Sequence, residues 1–303
     1  MIRRYSFVVL LLLVIPTTGC LFRSHKVENH LSSAVLQSAT QQELIDRIDQ
    51  AAAAIKTMNA TVDIRAAVGG QKKGKVTEYT EIRGYILAEK PSMLRMIGLV
   101  PVVRNRAFDM VSDGANFKLS IPPKNKFIVG RNEIVTPNPN QPLENLRPQH
   151  IYDALLLRAI DPRDEIAVIE SAMQPVADPK THKPVEQPNY VIIVVRREGS
   201  EWHLSRKIYF DRADLTLYRQ VLYDKKGDVA TTADYSDLKV FNGIGFPTHI
   251  EIVRPQEEYD IGLNFLDIKI NQPLRPDQFE LQQPPGAVVV HLTNDNPTTA
   301  NEK

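Results

Sequence analysis

Cysteine is nearly missing from this chain: Cys20 is the only one in 303 residues. A lone thiol closes no internal disulfide, so the fold must rest on a core and not on cross-links. A charge imbalance is missing too, with 37 Lys and Arg against 36 Asp and Glu for a formal charge of +1. Without a basic run, the chain lacks the electrostatic footprint of a nucleic-acid binder. Its longest unbroken apolar run, Phe7 to Ile15, falls far short of the roughly 20 residues that a membrane-spanning helix needs. The seven histidines include no i,i+4 pair and no HExxH motif, so no metal site is legible. The glycines of FNGIGFP lack phosphate-loop spacing and read as a turn between strands. His249 in THIEIV and His203 beside Trp202 read as packing or surface residues, and the scattered carboxylates form no pair that a sequence can place together. These absences point away from catalysis, and no cofactor is implied.

What is present begins at the amino terminus, MIRRYSFVVLLLLVIPTTGCLF. Arg3 and Arg4 precede the short apolar run, Pro16 breaks it, and Thr17, Thr18 and Gly19 lead to Cys20. That order of charge, apolar stretch and small residues is the grammar of an export signal cleaved after Gly19. The stretch resembles a bacterial lipoprotein signal, whose lipobox ends in a small residue followed by the cysteine that is acylated. Thr17 stands where that pattern has an aliphatic residue. The resemblance implies lipidation at Cys20, and Leu21 in place of an Asp after the cysteine implies the outer membrane. Removing residues 1–19 takes away Arg3 and Arg4, so that 35 basic residues face 36 acidic ones and the mature charge is about −1 with the amino terminus acylated.

Residues 20–39 show no sustained period and read as a lipid-anchored flexible tether, able to extend roughly 60 Å. Thr40 opens a capping box with Glu43, and Leu44, Ile48, Ile55 and Met58 continue at helical spacing, which predicts an amphipathic helix over 41–58. From Asn59 the period becomes two. The segments ATVDIRAAV, VTEYTEIRGYILAE, SMLRMIGLV, RAFDMV, FKLSI and KFIVG read as antiparallel strands separated by turn residues. After the Pro-rich TPNPNQP, a second helix is predicted over 148–160, apolar on more than one side and so sandwiched. ADPKTHKPVEQP reads as an inserted loop, and strands resume at YVIIVVR. In YDIGLNFLDIKI the apolar phase slips by one residue after Phe265, the mark of a β-bulge. The prediction is mainly β with covering helices (α+β): one domain over 40–291 whose curved antiparallel sheet carries helices on its concave side, with a polar tail over 292–303.

In this order RGYILAEKPSMLRM, FDMVSDGANFKLSIPPKNKFIVG and PDQFELQQPPGAVVV resemble the LolA/LolB-like superfamily. The resemblance implies a half-open antiparallel β-barrel with a helical lid, and a hydrophobic cavity that binds acyl chains of lipoproteins or other lipids by transfer and not by catalysis. Lys90 stands before the strand-ending Pro91 where the soluble carrier has an Arg that latches the lid; the resemblance implies a lid or cavity-rim position for both residues. The membrane anchor makes the chain look like the receptor branch, with a periplasmic carrier as donor. That branch has an exposed hydrophobic hairpin tip, and Ile97–Val103 falls in the corresponding place, with Leu99 and Val100 as membrane or cargo contacts. A different reading is that these residues continue core strands. An alternative function from another class is an envelope interaction or sensor protein using the same fold to bind a protein partner.

Overall fold

The computed structural model describes residues 31–70, 74–133 and 146–292. Cys20, the export signal, most of the tether and the polar tail after Leu292 lie outside the described residues. The chain divides into two compact units, Met1–Ala34 with Pro175–Gln187, and Val35–Gln174 with Pro188–Lys303. In the smaller unit, Leu31 bridges Glu186, and the Ser33 amide donates to Asp178 Oδ2 at 2.8 Å. Asp178 also accepts from the Lys180 and Thr181 amides, and these backbone donors hold its carboxyl below the ordinary range.

The larger unit opens with helix α1 (Gln41–Ala54), started by the expected capping box: Thr40 Oγ1 accepts from the Glu43 amide, and Glu43 Oε2 accepts from the Thr40 amide at 2.7 Å. The helix stops short of the sequence reading, since Ile55 is extended and β1 (Thr57–Gly70) begins with Thr57. Met58, with helical spacing in sequence, is instead a strand residue buried in the sheet's core.

The stretch VTEYTEIRGYILAE forms two strands, β2 (Lys75–Glu78) and β3 (Ile82–Glu89), broken at Tyr79–Glu81. A meander follows: β4 (Met93–Leu99), β5 (Arg106–Ser112), β6 (Asn116–Ile121) and β7 (Lys126–Arg131). Helix α2 covers only Pro148–Leu155, shorter than predicted. After it come β8 (Glu165–Ala177), β9 (Pro184–Glu198), β10 (Glu201–Phe210), β11 (Leu217–Tyr223), β12 (Val229–Phe241), β13 (Ile244–Arg254), β14 (Tyr259–Ile270) and β15 (Val288–His291). The inserted loop read over 177–188 shrinks to a short turn between β8 and β9.

The strands lie in the order β15-β7-β6-β5-β4-β3-β1-β14-β13-β12-β11-β10-β9-β8, with β2 paired to β1. The end strands β15 and β8 do not pair with each other, so the sheet is open. Among the described residues these strands pair antiparallel except β15 with β7. β15 departs from the antiparallel expectation because it arrives by a long crossover from β14 through a 3-10 turn at Pro276–Phe279, and not by a hairpin. The expected bulge is present: Thr61 faces Asp267 and Val62 faces Phe265, leaving Leu266 as the extra, exposed residue. Ile268 and Ile270 thereby return to the buried face with Ile261 and Leu263.

The core lies between the two helices and one face of the sheet. α2 contributes Ile151, Tyr152, Ala154 and Leu155 to a cluster with Val62, Ile86, Met96, Leu119, Ile250 and Leu263. Through Leu44 and Ile48, α1 covers Ile192, Val194, Ile208 and Phe210 on β9 and β10. Gly84 is needed where β3 crosses β4, because a Cβ there would lie 2.4 Å from the Ile97 carbonyl oxygen and 2.5 Å from Ile64 Cδ1.

Candidate functional site

The helix-covered face is not filled evenly. Where β1 ends, Ile64, Ala66 and Val68 recur at period two and point under the N-terminal half of α2. With Ile82, Met96, Phe108, Leu119, Ile121 and Ile261 from neighbouring strands, and with Ile151 and Leu146 opposite, they line a hollow of about 330 Å³. Ala66 and Ala107 leave the room that larger side chains would take. Among the described residues, polar groups enter only through Tyr79, Thr80, Tyr259 and Asp260, and no cation lines the hollow. Tyr79 and Thr80 are the residues at which β2 and β3 break, so an interruption of the sheet lies at this wall. The size falls within the range of ordinary ligand pockets.

A second hollow, of about 430 Å³, lies at the other end of α2, where β1 begins. Arg47, Gln50, Ala51 and Ala54, one face of α1, form one wall; Phe210, Leu215, Leu217, Tyr235, Leu238 and Phe246 form much of the rest. Lys90 lines it as well.

Between the hollows α2 is tied down through its carbonyls. A helix end leaves its last carbonyls without intrahelical partners, and here side chains take up two of them and three carbonyls of the segment just beyond. Gln220 Nε2 donates to Asp153 O at 3.2 Å and the Tyr235 hydroxyl to Ala154 O at 2.9 Å. Lys90 Nζ donates to Leu157 O at 3.1 Å, and Arg206 donates to Arg158 O at 2.6 Å and Ala159 O at 2.9 Å. The same Lys90 ammonium also donates to Ala52 O at the end of α1. These bonds explain why residues 156–160 do not continue the helix. Burial lowers the Lys90 ammonium below its ordinary value. Pro91, exposed, turns the chain out of β3.

Behind Arg206 lies Glu165, whose side chain is fully buried and which meets Arg158 at 2.5 Å, Arg196 at 3.3 Å and Arg206 at 3.5 Å. Burial would raise its carboxyl, but the Arg158 hydrogen bond and the charges of Arg158 and Arg206 outweigh that and hold it low. On α2, burial pushes the Asp153 carboxyl up to about 6 against a hydrogen bond from Gln149 and the nearby arginines. Burial, with Arg254 and Arg147 close by, depresses His150 well below the ordinary imidazole value.

The hairpin between β4 and β5 lies at the end of the smaller hollow. Leu99 ends β4 across from Arg106, and the Val100 amide donates to Asn105 O at 2.7 Å. Leu99 and Val100 are both half-buried, and with Asp63, Arg83 and Tyr85 they line a shallow depression. The apolar side chains most open to solvent at this tip are Val102, 96% exposed, and Val103, 63% exposed. Val102 has φ +67°, a conformation that β-branched residues avoid. Tyr79, Thr80, Arg206, Gln220 and Tyr235 were not singled out in the sequence. Arg206 carried a signal, because it shares the period-two inward face of Ile208 and Phe210, where an arginine needs a buried partner.

No protein-family profile matches the chain, and no curated protein does. Among solved structures it is similar to a LolA superfamily protein from Nitrosomonas europaea, at 14% identity over 80% of this chain and 99% of that one, with a TM-score of 0.48. It is similar also to an outer membrane lipoprotein-sorting protein domain from Vibrio parahaemolyticus, at 13% identity over 78% and 94% of the two chains, TM-score 0.46. A DUF1329 family protein from Desulfovibrio piger matches at 15% identity over 78% and 95%, TM-score 0.45.

Proposed function

We propose that this protein binds an aliphatic chain in the hollow under the N-terminal half of α2, while acyl groups on Cys20 anchor it to the outer membrane facing the periplasm. The observation that carries this reading is the wall chemistry of that hollow: aliphatic and aromatic side chains, three alanines, and among the described residues no cation. Each methylene moved from water into such a site gains about 0.8 kcal/mol, so an acyl chain enters without covalent chemistry. In this reading residues 20–39 connect the anchor to a lipid-binding domain over 40–291, the ligand is a lipoprotein or another lipid received from a periplasmic carrier, and the β4–β5 tip touches membrane or cargo. Lys90, at the rim of the other hollow, holds the carbonyl ends of both helices closed.

The test is mass spectrometry of lipids extracted from the purified full chain, set beside Ala66→Phe, which fills the hollow. The native protein is expected to retain aliphatic lipid and the variant to lose most of it while staying folded. Lipid-free native protein, together with a variant that is merely more stable, would identify the hollow as a packing defect. One observation favours the alternative of an envelope protein that binds a protein partner. Side-chain bonds to the Asp153 and Ala154 carbonyls of α2, and to carbonyls 157–159 just after it, hold that helix against the sheet. Co-purification of a stoichiometric protein without lipid would support it.

A further inference from the structure

The larger hollow differs from the smaller one in a respect that points to another ligand. Lys90 and Arg47 both line it, and the carboxylate on its wall is Asp214, which is engaged in its own turn, accepting from the Thr216 amide at 2.8 Å. Lys90 is half-buried, and its ammonium donates to the Ala52 and Leu157 carbonyls. An ammonium carries three donors and a full charge. Two neutral carbonyls leave one donor and much of that charge unmet, and among the described residues no carboxylate pairs with it. Partial removal of a charge from water is costly unless an opposite charge replaces the lost hydration. Arg47 lies on the same face of α1 as Gln50, Ala51 and Ala54 and lines the same wall. Much of the remaining wall is apolar, at Phe210, Leu215, Leu217 and Phe246. We propose that this hollow is a second site, distinct from the acyl site above, and that it takes an amphiphile with one aliphatic chain and an anionic head, the head meeting Lys90 and Arg47 and the chain lying against Phe210 and Phe246. The inference stands on the larger hollow alone and does not require the smaller one to be occupied.

A carboxylate and a phosphate monoester satisfy the same cations, so the probes are dodecanoate, dodecyl phosphate and neutral dodecanol. Occupancy is measured by native mass spectrometry on the full chain and on Ala66→Phe, in which the smaller hollow is filled. Both anionic probes are expected to bind Ala66→Phe about tenfold tighter than dodecanol, the scale of one charge-assisted hydrogen bond. Lys90→Gln and Arg47→Gln are each expected to bring that ratio close to one. Should Lys90→Gln fail to fold, Arg47→Glu, on an exposed helix surface, carries the same test by reversing a charge. Preference for only one anionic probe supports the site and identifies its head as carboxylate or phosphate. Equal binding of dodecanol and the anions by Ala66→Phe, or no binding at all by that variant, overturns the proposal. The acyl site is judged separately, by whether native protein binds dodecanol and Ala66→Phe loses it.

Discussion

Asp153 and His150 lie three residues apart on α2, and burial moves their protonation in ways that oppose each other in the pH dependence of stability. The Asp153 carboxyl is raised to about 6, so its contribution is fully present below the ordinary aspartate value and is lost as pH rises through about 6. His150 is depressed, so its contribution is present above the ordinary histidine value and is lost as pH falls through the acid range. Asp153→Asn keeps an acceptor for Gln149 and removes the ionisation. It is expected to be more stable than the native protein by about 2 kcal/mol at pH 7.5, with the difference gone near pH 4. Urea midpoints across that range check this; a native-like pH slope in Asp153→Asn would show that the carboxyl is not shifted. His150 was legible in sequence only as a helix residue, because its charge environment comes from Arg254 and Arg147, and Arg254 is remote in the chain.

Among the elements, α2 is the one whose limits the tertiary structure set. Its sequence is apolar as far as Ile160, yet the helix ends at Leu155 because carbonyls 157–159 bond to Lys90 and Arg206. Arg206→Met preserves much of the side-chain volume and removes those donors. It also takes one cation from the buried Glu165, although Arg158 and Arg196 remain. The expected loss is about 3 kcal/mol, in the range for breaking a buried charge pair, with faster amide exchange in residues 151–160 than in β3. Unchanged stability and exchange would show that Arg206 does not hold the helix. The capping box of α1 and the bulge of β14 were both readable beforehand, since each rests on neighbouring residues: Thr40 with Glu43, and the phase slip after Phe265. The break between β2 and β3 was read through as one strand, although Glu78, Thr80 and the out-of-phase Tyr79 interrupt the alternation between Val76 and Ile82.

For the whole molecule, anchoring and the hairpin tip belong together, since a tip works on a membrane only if the chain is held near one. Among the described residues no helix is long and apolar enough to cross a membrane, and the proposed anchor is the acyl group on Cys20. Cys20→Ser is expected to leave the membrane fraction and accumulate unprocessed. In anchored protein, Val102→Glu together with Val103→Glu is expected to change stability by no more than about 0.5 kcal/mol, as for exposed positions. The same pair should slow delivery of acylated cargo to vesicles. Leu99→Glu, at a half-buried position, is expected to cost stability as well. Normal delivery by the double variant would remove the tip from the mechanism.

The sequence by itself determined those features whose cause is local: the strand-rich class, the covering helices, the cap at Thr40, the bulge after Phe265 and the position of the β4–β5 turn. Each depends on side chains a few residues apart or on a repeat of two or 3.6. Which face of that turn is wet depended on how the chain folds back at Val102 and Arg104, both at positive φ, and so Val102 and Val103, and not Leu99 and Val100, are the side chains most open to solvent. The hollows themselves came only from tertiary structure. A void is whatever volume neighbouring strands and a helix fail to fill, and its walls join residues as distant as Arg47 and Phe246, whose proximity no local pattern encodes.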